Sequence, residues 1–178
     1  MSRTYQFLLA GFGGQGILFA GKVIAYSGML DGRQVSWLPS YGPEMRGGTA
    51  NCSVILSDEP IGSPLIQRPD ILMALNLPSF EKFEQAVLPG GTLVADSSLI
   101  QKRTARSDIS AFYLPATQLA QDHELRGLAN IIALGKLAKE TGFAGMESLC
   151  AALAKCVPPR KADMLEKNRR ALEIGFAG

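Results

Sequence analysis

Between a short apolar run, Tyr5 to Ala10, and a stretch with apolar residues at helical spacing lies the hexapeptide GFGGQG, Gly11 to Gly16. This juxtaposition constrains the fold more than any other part of the chain. It satisfies G-x-G-x-x-G with an extra glycine, after a strand and before a helix, as the phosphate-binding form of the pattern requires. Glycines let a backbone approach an anion closely, and the unpaired N–H groups and dipole at a helix start favour negative charge, typically by ~0.3–1 kcal/mol per charge. The same glycines would also serve a tight turn with close helix–strand packing and no ligand. On local grounds both readings stand.

The helix after the glycines is expected from Gly16 to about Met29, with Ile17, Ala20, Val23 and Ile24 on one face and Gly32 as a stop. Further strands are expected at Gln34–Leu38, at Thr49–Ser57 with Cys52, Val54 and Leu56 on one face, at Asp70–Asn76, at Thr92–Asp96 and at Ala111–Leu114. A short helix opens at Pro78 and closes at Pro89-Gly90-Gly91. The last third reads as helical: Leu128, Ile131, Ile132, Leu134 and Leu137 form one face, and Met146, Leu149, Cys150, Leu153 and Val157 another. A final basic helix follows Pro158-Pro159, with Ala162, Leu165, Arg169 and Leu172 on one side. Strands alternating with helices predict an α/β fold: one domain over residues 1–178, a three-layer sandwich with a mostly parallel, Rossmann-like sheet.

Composition excludes several classes. A net charge of +2 in 178 residues points to neither a nucleic-acid nor a membrane partner. The apolar start is too short for a secretory core, so the cytoplasm is the expected compartment. Cys52, Cys150 and Cys156 are odd in number and lack C-x-x-C spacing, so no disulfide framework or metal site is expected and reduced, core-packed thiols are. The single histidine, His123, reads as a surface residue in a polar helical stretch; no catalytic residue is assigned. A nicotinamide site would add an acid at the end of the second strand, where this chain has Ser36-Trp37-Leu38-Pro39, and no G-K-[ST] follows the glycines as a P-loop requires.

Two other segments bear on a site. The run Pro39 to Gly48, with two prolines and three glycines, is expected as a loop that follows a strand and lines the ligand crevice or a subunit interface. Its candidate residues are Ser40, Tyr41, Gly42, Pro43, Glu44, Arg46, Gly47 and Gly48, the alternative being a solvated turn. Asp96, Ser97 and Ser98 end the fifth strand on the same edge and are expected to cap the next segment. The basic residues Arg160, Lys161, Lys167, Arg169 and Arg170 read as a solvated helix face.

GFGGQGIL at Gly11–Leu18, SYGPEMRGGTANCSV at Ser40–Val54, SDEPIGSP at Ser57–Pro64 and PDILMALN at Pro69–Asn76 occur in this order, followed by PGGTLVADSSLI and LANIIALGKLAKETG. The ordered set covers nearly the whole chain and resembles the gamma subunit, or gamma domain, of the 2-oxoacid:ferredoxin oxidoreductases. GPEMRGGTANC is similar to the 2-oxoglutarate (Kor-type) branch more than to the pyruvate-type G-P-E-R-R-G-A, and Glu44-Met45 stand where the indolepyruvate branch carries serine-glutamine.

The resemblance implies a multisubunit enzyme that oxidatively decarboxylates a 2-oxoacid, here 2-oxoglutarate, to an acyl-coenzyme A and reduces ferredoxin. It implies alpha and beta partners, and in some relatives delta, which carry thiamine diphosphate, Mg and iron–sulfur clusters. This chain then contributes coenzyme A binding and subunit contacts, with Gly11, Gly13, Gly14, Gln15 and Gly16 at the pyrophosphate. The isolated chain is expected to be inactive and, with apolar surface left to cover, a dimer or larger. The alternative is a stand-alone nucleotide-binding regulatory module of the same fold.

Overall fold

β1 (Thr4–Phe12) occupies the middle of a six-stranded sheet, and every other strand is placed by how it joins this one. In the computed structural model, residues 2–40 and 49–178 are described. α1 (Ile17–Leu30) follows the glycine turn, then β2 (Gln34–Ser40), β3 (Thr49–Ser57), β4 (Ile71–Ala74), α2 (Leu77–Phe83), β5 (Thr92–Asp96), β6 (Ser110–Leu114), α3 (Ala116–Asp122), α4 (Ala129–Thr141), α5 (Met146–Cys156) and α6 (Ala162–Ala177).

The strand order is β2-β3-β1-β4-β5-β6, and β1, β4, β5 and β6 pair in parallel. β3 runs antiparallel to both β1 and β2. The reason is chain length: the segment joining Ser40 to Thr49 is too short for the crossover a parallel pair needs, whereas β1 to β4 and β4 to β5 are long enough for one. The expected mostly parallel α/β sheet is therefore present, with one reversed strand inserted beside its centre.

Alternation along the strands sends side chains to two unequal cores. Phe7, Leu9, Cys52, Val54, Leu56, Met73 and Val94 face α1 and α4 in the larger one, where Phe143 meets the Phe7 ring edge-on at 4.9 Å. Leu8, Leu72, Ala74, Leu93 and Ala95 face the opposite way, against Phe80 of α2 with Val87 and Ile100. Cys52, Val54 and Leu56 share one buried face, as their alternation predicts.

α4 and α6 lie against each other, and their closest approach is set by glycines. A Cβ on Gly175 would strike the carbonyl oxygen of Ile132, and one on Gly135 the carbonyl oxygen of Leu172. Of the four residues expected on one side of the last helix Leu172 is buried, with Asn168, Ala171 and Gly175, whereas Ala162 and Arg169 are exposed and Leu165 is half-buried. Hydrophobic spacing weighted Leu165; the requirement for a small residue at the crossing rotates the helix toward Gly175 instead.

The three cysteines are unpaired: Cys52 is fully buried, and Cys150 and Cys156 lie half-buried against the larger core. Burial pushes the Cys52 thiol up to about 12 and the Cys156 thiol up to about 11 from the ordinary 9.0, and raises Cys150 as well. His123 terminates α3 and is exposed.

Two outcomes follow. Gly175→Val should lower unfolding stability by roughly 2–3 kcal/mol in urea titrations through overpacking, while Gly62→Ala, with open space around it, should change it by less than about 0.5 kcal/mol. Because the raised values keep the thiols protonated, Cys52 should resist a thiolate-specific disulfide reagent at pH 8 until the chain is unfolded, and Cys156 should react slowly; rapid labelling of Cys52 in the native chain would contradict this.

Candidate anion site at the sheet switch point

β1 and β4 are adjacent and parallel, but the chain leaves them on opposite faces, β1 into α1 and β4 into α2. In open α/β sheets the crevice outside the strand ends at such a divergence is where ligands bind. Here it is a cleft of about 520 Å³ lined by Gly14, Gln15, Leu75, Thr117, Gln121 and Arg126, with Gly127 and Ala129 at the start of α4.

The five residues expected at a pyrophosphate play distinct parts. Gly11 is buried, and a Cβ there would stand 2.6 Å from Gln15 Oε1 and 2.9 Å from Ile17 Cδ1, so its lack of a side chain serves packing. Gln15 stitches the turn: its Oε1 accepts from the Phe12 N–H at 2.6 Å and its Nε2 donates to the Leu75 carbonyl, at the end of β4, at 3.0 Å. Gly14 (φ 92°) and Gly16 (φ 72°) adopt the left-handed conformation that side chains disfavour. Gly13 and Gly14 are exposed, and nothing lies within 4 Å of a Cβ built on Gly14, so there the backbone is open to a ligand.

Gly16 carries the junction of the site. Its carbonyl accepts the Ala20 N–H at 3.0 Å, opening α1, and also the side-chain amide of Asn130 at 2.9 Å, from the first turn of α4. Asn130 is 3% exposed and ties the N-termini of α1 and α4 together; Ala129 of α4 lines the cleft, as do Gly14 and Gln15 of the turn that leads into α1. Those termini present unpaired N–H groups and the positive ends of their dipoles. Arg126, exposed at the lip, forms no ion pair among the described residues.

α3 differs, because its N-terminus is already filled. Asp96 accepts from the Thr117 N–H at 3.2 Å, the Thr117 hydroxyl at 2.5 Å and the Ser98 N–H at 3.0 Å, and Ser98 Oγ accepts the Gln118 N–H at 3.0 Å. The expected capping role of Asp96 and Ser98 holds; the Ser97 N–H donates to the Leu114 carbonyl.

Ser40 ends β2, is exposed and pairs across from Asn51. Tyr41, Gly42, Pro43, Glu44, Arg46, Gly47 and Gly48 lie outside the described residues. The chain rejoins the sheet at Thr49, paired with Phe12, on the edge that bears the glycine turn. Arg126, Gln121, Gly127 and Asn130 were not singled out from the sequence. The available signal was a second glycine just before a helix, in R-G-L-A-N, Arg126 to Asn130. The basic residues near the end of the chain, Arg160, Lys161, Lys167, Arg169 and Arg170, are exposed, and none lines this cleft.

Taken together, the lining carries a cation, backbone donors and amides, with no carboxylate, imidazole or thiol among the described residues. That chemistry suits an anion. The fold is that of an α/β chain with a glycine turn between its first strand and first helix.

Residues 6–178 match the model of a family described as pyruvate ferredoxin/flavodoxin oxidoreductase, and the chain belongs to that family. It is 38% identical over 169 residues to the ketoisovalerate oxidoreductase subunit VorA of Methanothermobacter thermautotrophicus; the match takes in 94% of this chain but only 35% of that protein, so the chain spans about a third of its length. It is 34% identical over 171 residues to the 2-oxoglutarate synthase subunit KorC of Methanocaldococcus jannaschii, covering 94% of this chain and 90% of that one. Among solved structures it is similar to the gamma subunit of a keto/oxoacid ferredoxin oxidoreductase from Geobacter sulfurreducens, with a TM-score of 0.84, 32% identity, and 97% and 96% of the two chains covered.

Asn130→Asp tests the junction, since it turns a donor into a carboxylate facing the Gly16 carbonyl. Stability should fall by about 1–3 kcal/mol in urea titrations, and an unchanged midpoint would show that the bond does not hold the two helices together.

Proposed function

We propose that this chain acts as the gamma subunit of a multisubunit 2-oxoacid:ferredoxin oxidoreductase, and that its own part is to hold the pyrophosphate of coenzyme A at the switch-point cleft. The supporting observation is that the glycine turn before α1, the start of α4 and Arg126 line one cleft with no carboxylate, imidazole or thiol among the described residues. The cleft volume lies within the ordinary range for a cofactor site. Gly13 and Gly14 supply open backbone, and Arg126 the bidentate charge a phosphate takes; Gly11, Gln15 and Gly16 shape the turn. Tyr41, Glu44 and Arg46 are proposed at the ligand edge or an interface.

In this reading thiamine diphosphate, Mg and iron–sulfur clusters belong to alpha, beta and, where present, delta companions, and electrons leave the complex on ferredoxin. Thiamine diphosphate supplies the carbanion chemistry of decarboxylation. This chain's residues bind and orient the acyl acceptor. The proposed acid is 2-oxoglutarate, supported by the whole-length relative KorC. A second reading, 2-oxoisovalerate, draws on the higher identity to VorA. The isolated chain is proposed to be inactive and self-associating, with Phe12, Met29 and Leu65 among its exposed apolar side chains; no described helix is long and apolar enough to cross a membrane.

The test is viologen or ferredoxin reduction by the complex reconstituted from this chain and its companions, compared across 2-oxoglutarate, 2-oxoisovalerate and pyruvate. 2-Oxoglutarate should give the highest kcat/KM, and a preference for either competitor reassigns the substrate. Arg126→Ala should raise the KM for coenzyme A about tenfold or more with kcat at saturation nearly unchanged, as loss of a charge-assisted bond predicts. If Gly13→Val leaves coenzyme A affinity and turnover untouched, the pyrophosphate assignment is wrong.

A further inference from the structure

The two ends of the sheet are treated differently. At β6 the edge is guarded: the Arg103 guanidinium stacks 3.9 Å from the Tyr113 ring centre, the Lys136 ammonium lies 5.2 Å from that of Phe112, and the Thr104 N–H donates to the Tyr113 hydroxyl at 2.8 Å. Cations and a crossing segment are the usual means of keeping a sheet end from pairing with another chain. β2, at the other end, has none of these among the described residues. QVSWLPS contains no charged side chain, and Trp37 and Leu38, adjacent and so on opposite faces, are 38% and 39% exposed.

Pro39 sets which backbone groups are open. A proline fits a ladder only where its nitrogen faces away from the neighbouring strand, so Pro39, opposite Cys52 of β3, turns outward. By alternation Val35 and Trp37 turn outward too, whereas Ser36 and Leu38, opposite Ile55 and Ser53, bond to β3. The outer edge thus offers the N–H and C=O groups of Val35 and Trp37 and the carbonyl of Pro39.

Beside this edge runs a groove of about 520 Å³ between α1 and β2, walled by Tyr26, Met29, Val35 and Trp37, with Lys22 and Arg33 as its charges and no carboxylate. Arg33 lies 3.7 Å from Asp58, whereas Lys22 has no ion pair among the described residues. A second copy, docking edge to edge about a two-fold axis, would set this cationic groove against itself. The complement is an extended segment bearing a carboxylate.

Resting on the proposed role as a subunit, we infer that an extended, acid-bearing segment of a companion subunit adds to the sheet outside β2, bonding to Val35 and Trp37, with an apolar side chain against Tyr26 and Met29 and its carboxylate at Lys22. The main chain supplies affinity and the groove supplies selectivity. Pro39 limits the pairing, because within β2 no N–H faces outward beyond Trp37.

Residue-resolved hydrogen exchange on the isolated chain and on the reconstituted complex tests this. Alone, the Val35 and Trp37 amides should exchange fast and those of Ser36 and Leu38 slowly. In the complex, Val35 and Trp37 should slow by about a hundredfold or more, with β6 unchanged. Lys22→Glu should weaken association about tenfold or more while Lys22→Arg retains it. A complex that turns over a 2-oxoacid with Val35 and Trp37 still exchanging freely overturns this inference and leaves the subunit role standing. Protection of those amides in the isolated chain that is lost on dilution also overturns it, since a second copy then holds the edge. Companions that never associate overturn both.

Discussion

The hydrogen bond from the Asn130 side chain to the Gly16 carbonyl is the constraint on which the candidate site depends. Separately, the N-terminus of α1 is a turn after a strand and that of α4 the start of a helix that packs into the same core. Joined through a buried carboxamide, they become two positive helix ends a fixed distance apart, which is what an anion with two phosphate groups can use. The Asn130 side chain is buried, so loss of the bond would leave its amide without this partner. Gln15 does the same work across the cleft, tying the glycine turn to the end of β4 so that the turn cannot drift as the neighbouring strands flex.

Electrostatics separates this cleft from others that share its topology. Asp96, at the end of β5, carries a carboxylate, which opposes an anion where it is left open. Instead it is consumed by Thr117 and Ser98, capping α3 and leaving α1 and α4 as the open termini. Among the described residues the cleft lining has no paired acids or imidazole to move protons, which fits the proposed part of binding and orienting. That suits a subunit whose family carries out redox chemistry, with the reacting groups held by other chains in the proposed assembly.

Much of the fold was legible because periodicity and breakers report local burial directly. The alternation of Cys52, Val54 and Leu56, the glycine turn between strand and helix, and the proline that opens α2 all signal through neighbouring residues. Asp96 and Ser98 were legible as caps for the same reason. Arg126 and Asn130 were not: the one local cue, a glycine just before a helix, does not say what these side chains meet, and their roles arise only when α4 is brought beside a turn more than a hundred residues earlier. The side of α6 that packs inward was not legible for a related reason. Hydrophobic spacing favours Leu165, but a backbone-to-backbone crossing selects Gly175, and a glycine carries no hydrophobic signal.

The sequence by itself determined the class of the sheet, the position of the glycine turn and the family resemblance, since these rest on patterns a dozen residues long. Tertiary structure alone decided that β3 reverses direction beside β1, that Gln15 is a structural stitch while Gly14 faces open space, and that β6 is guarded while the outer edge of β2 meets no cover among the described residues. Each of those outcomes depends on which groups are left without a partner after packing. That is a property of the assembled backbone, because a hydrogen-bond donor is spent or free only once its neighbours in space are in place.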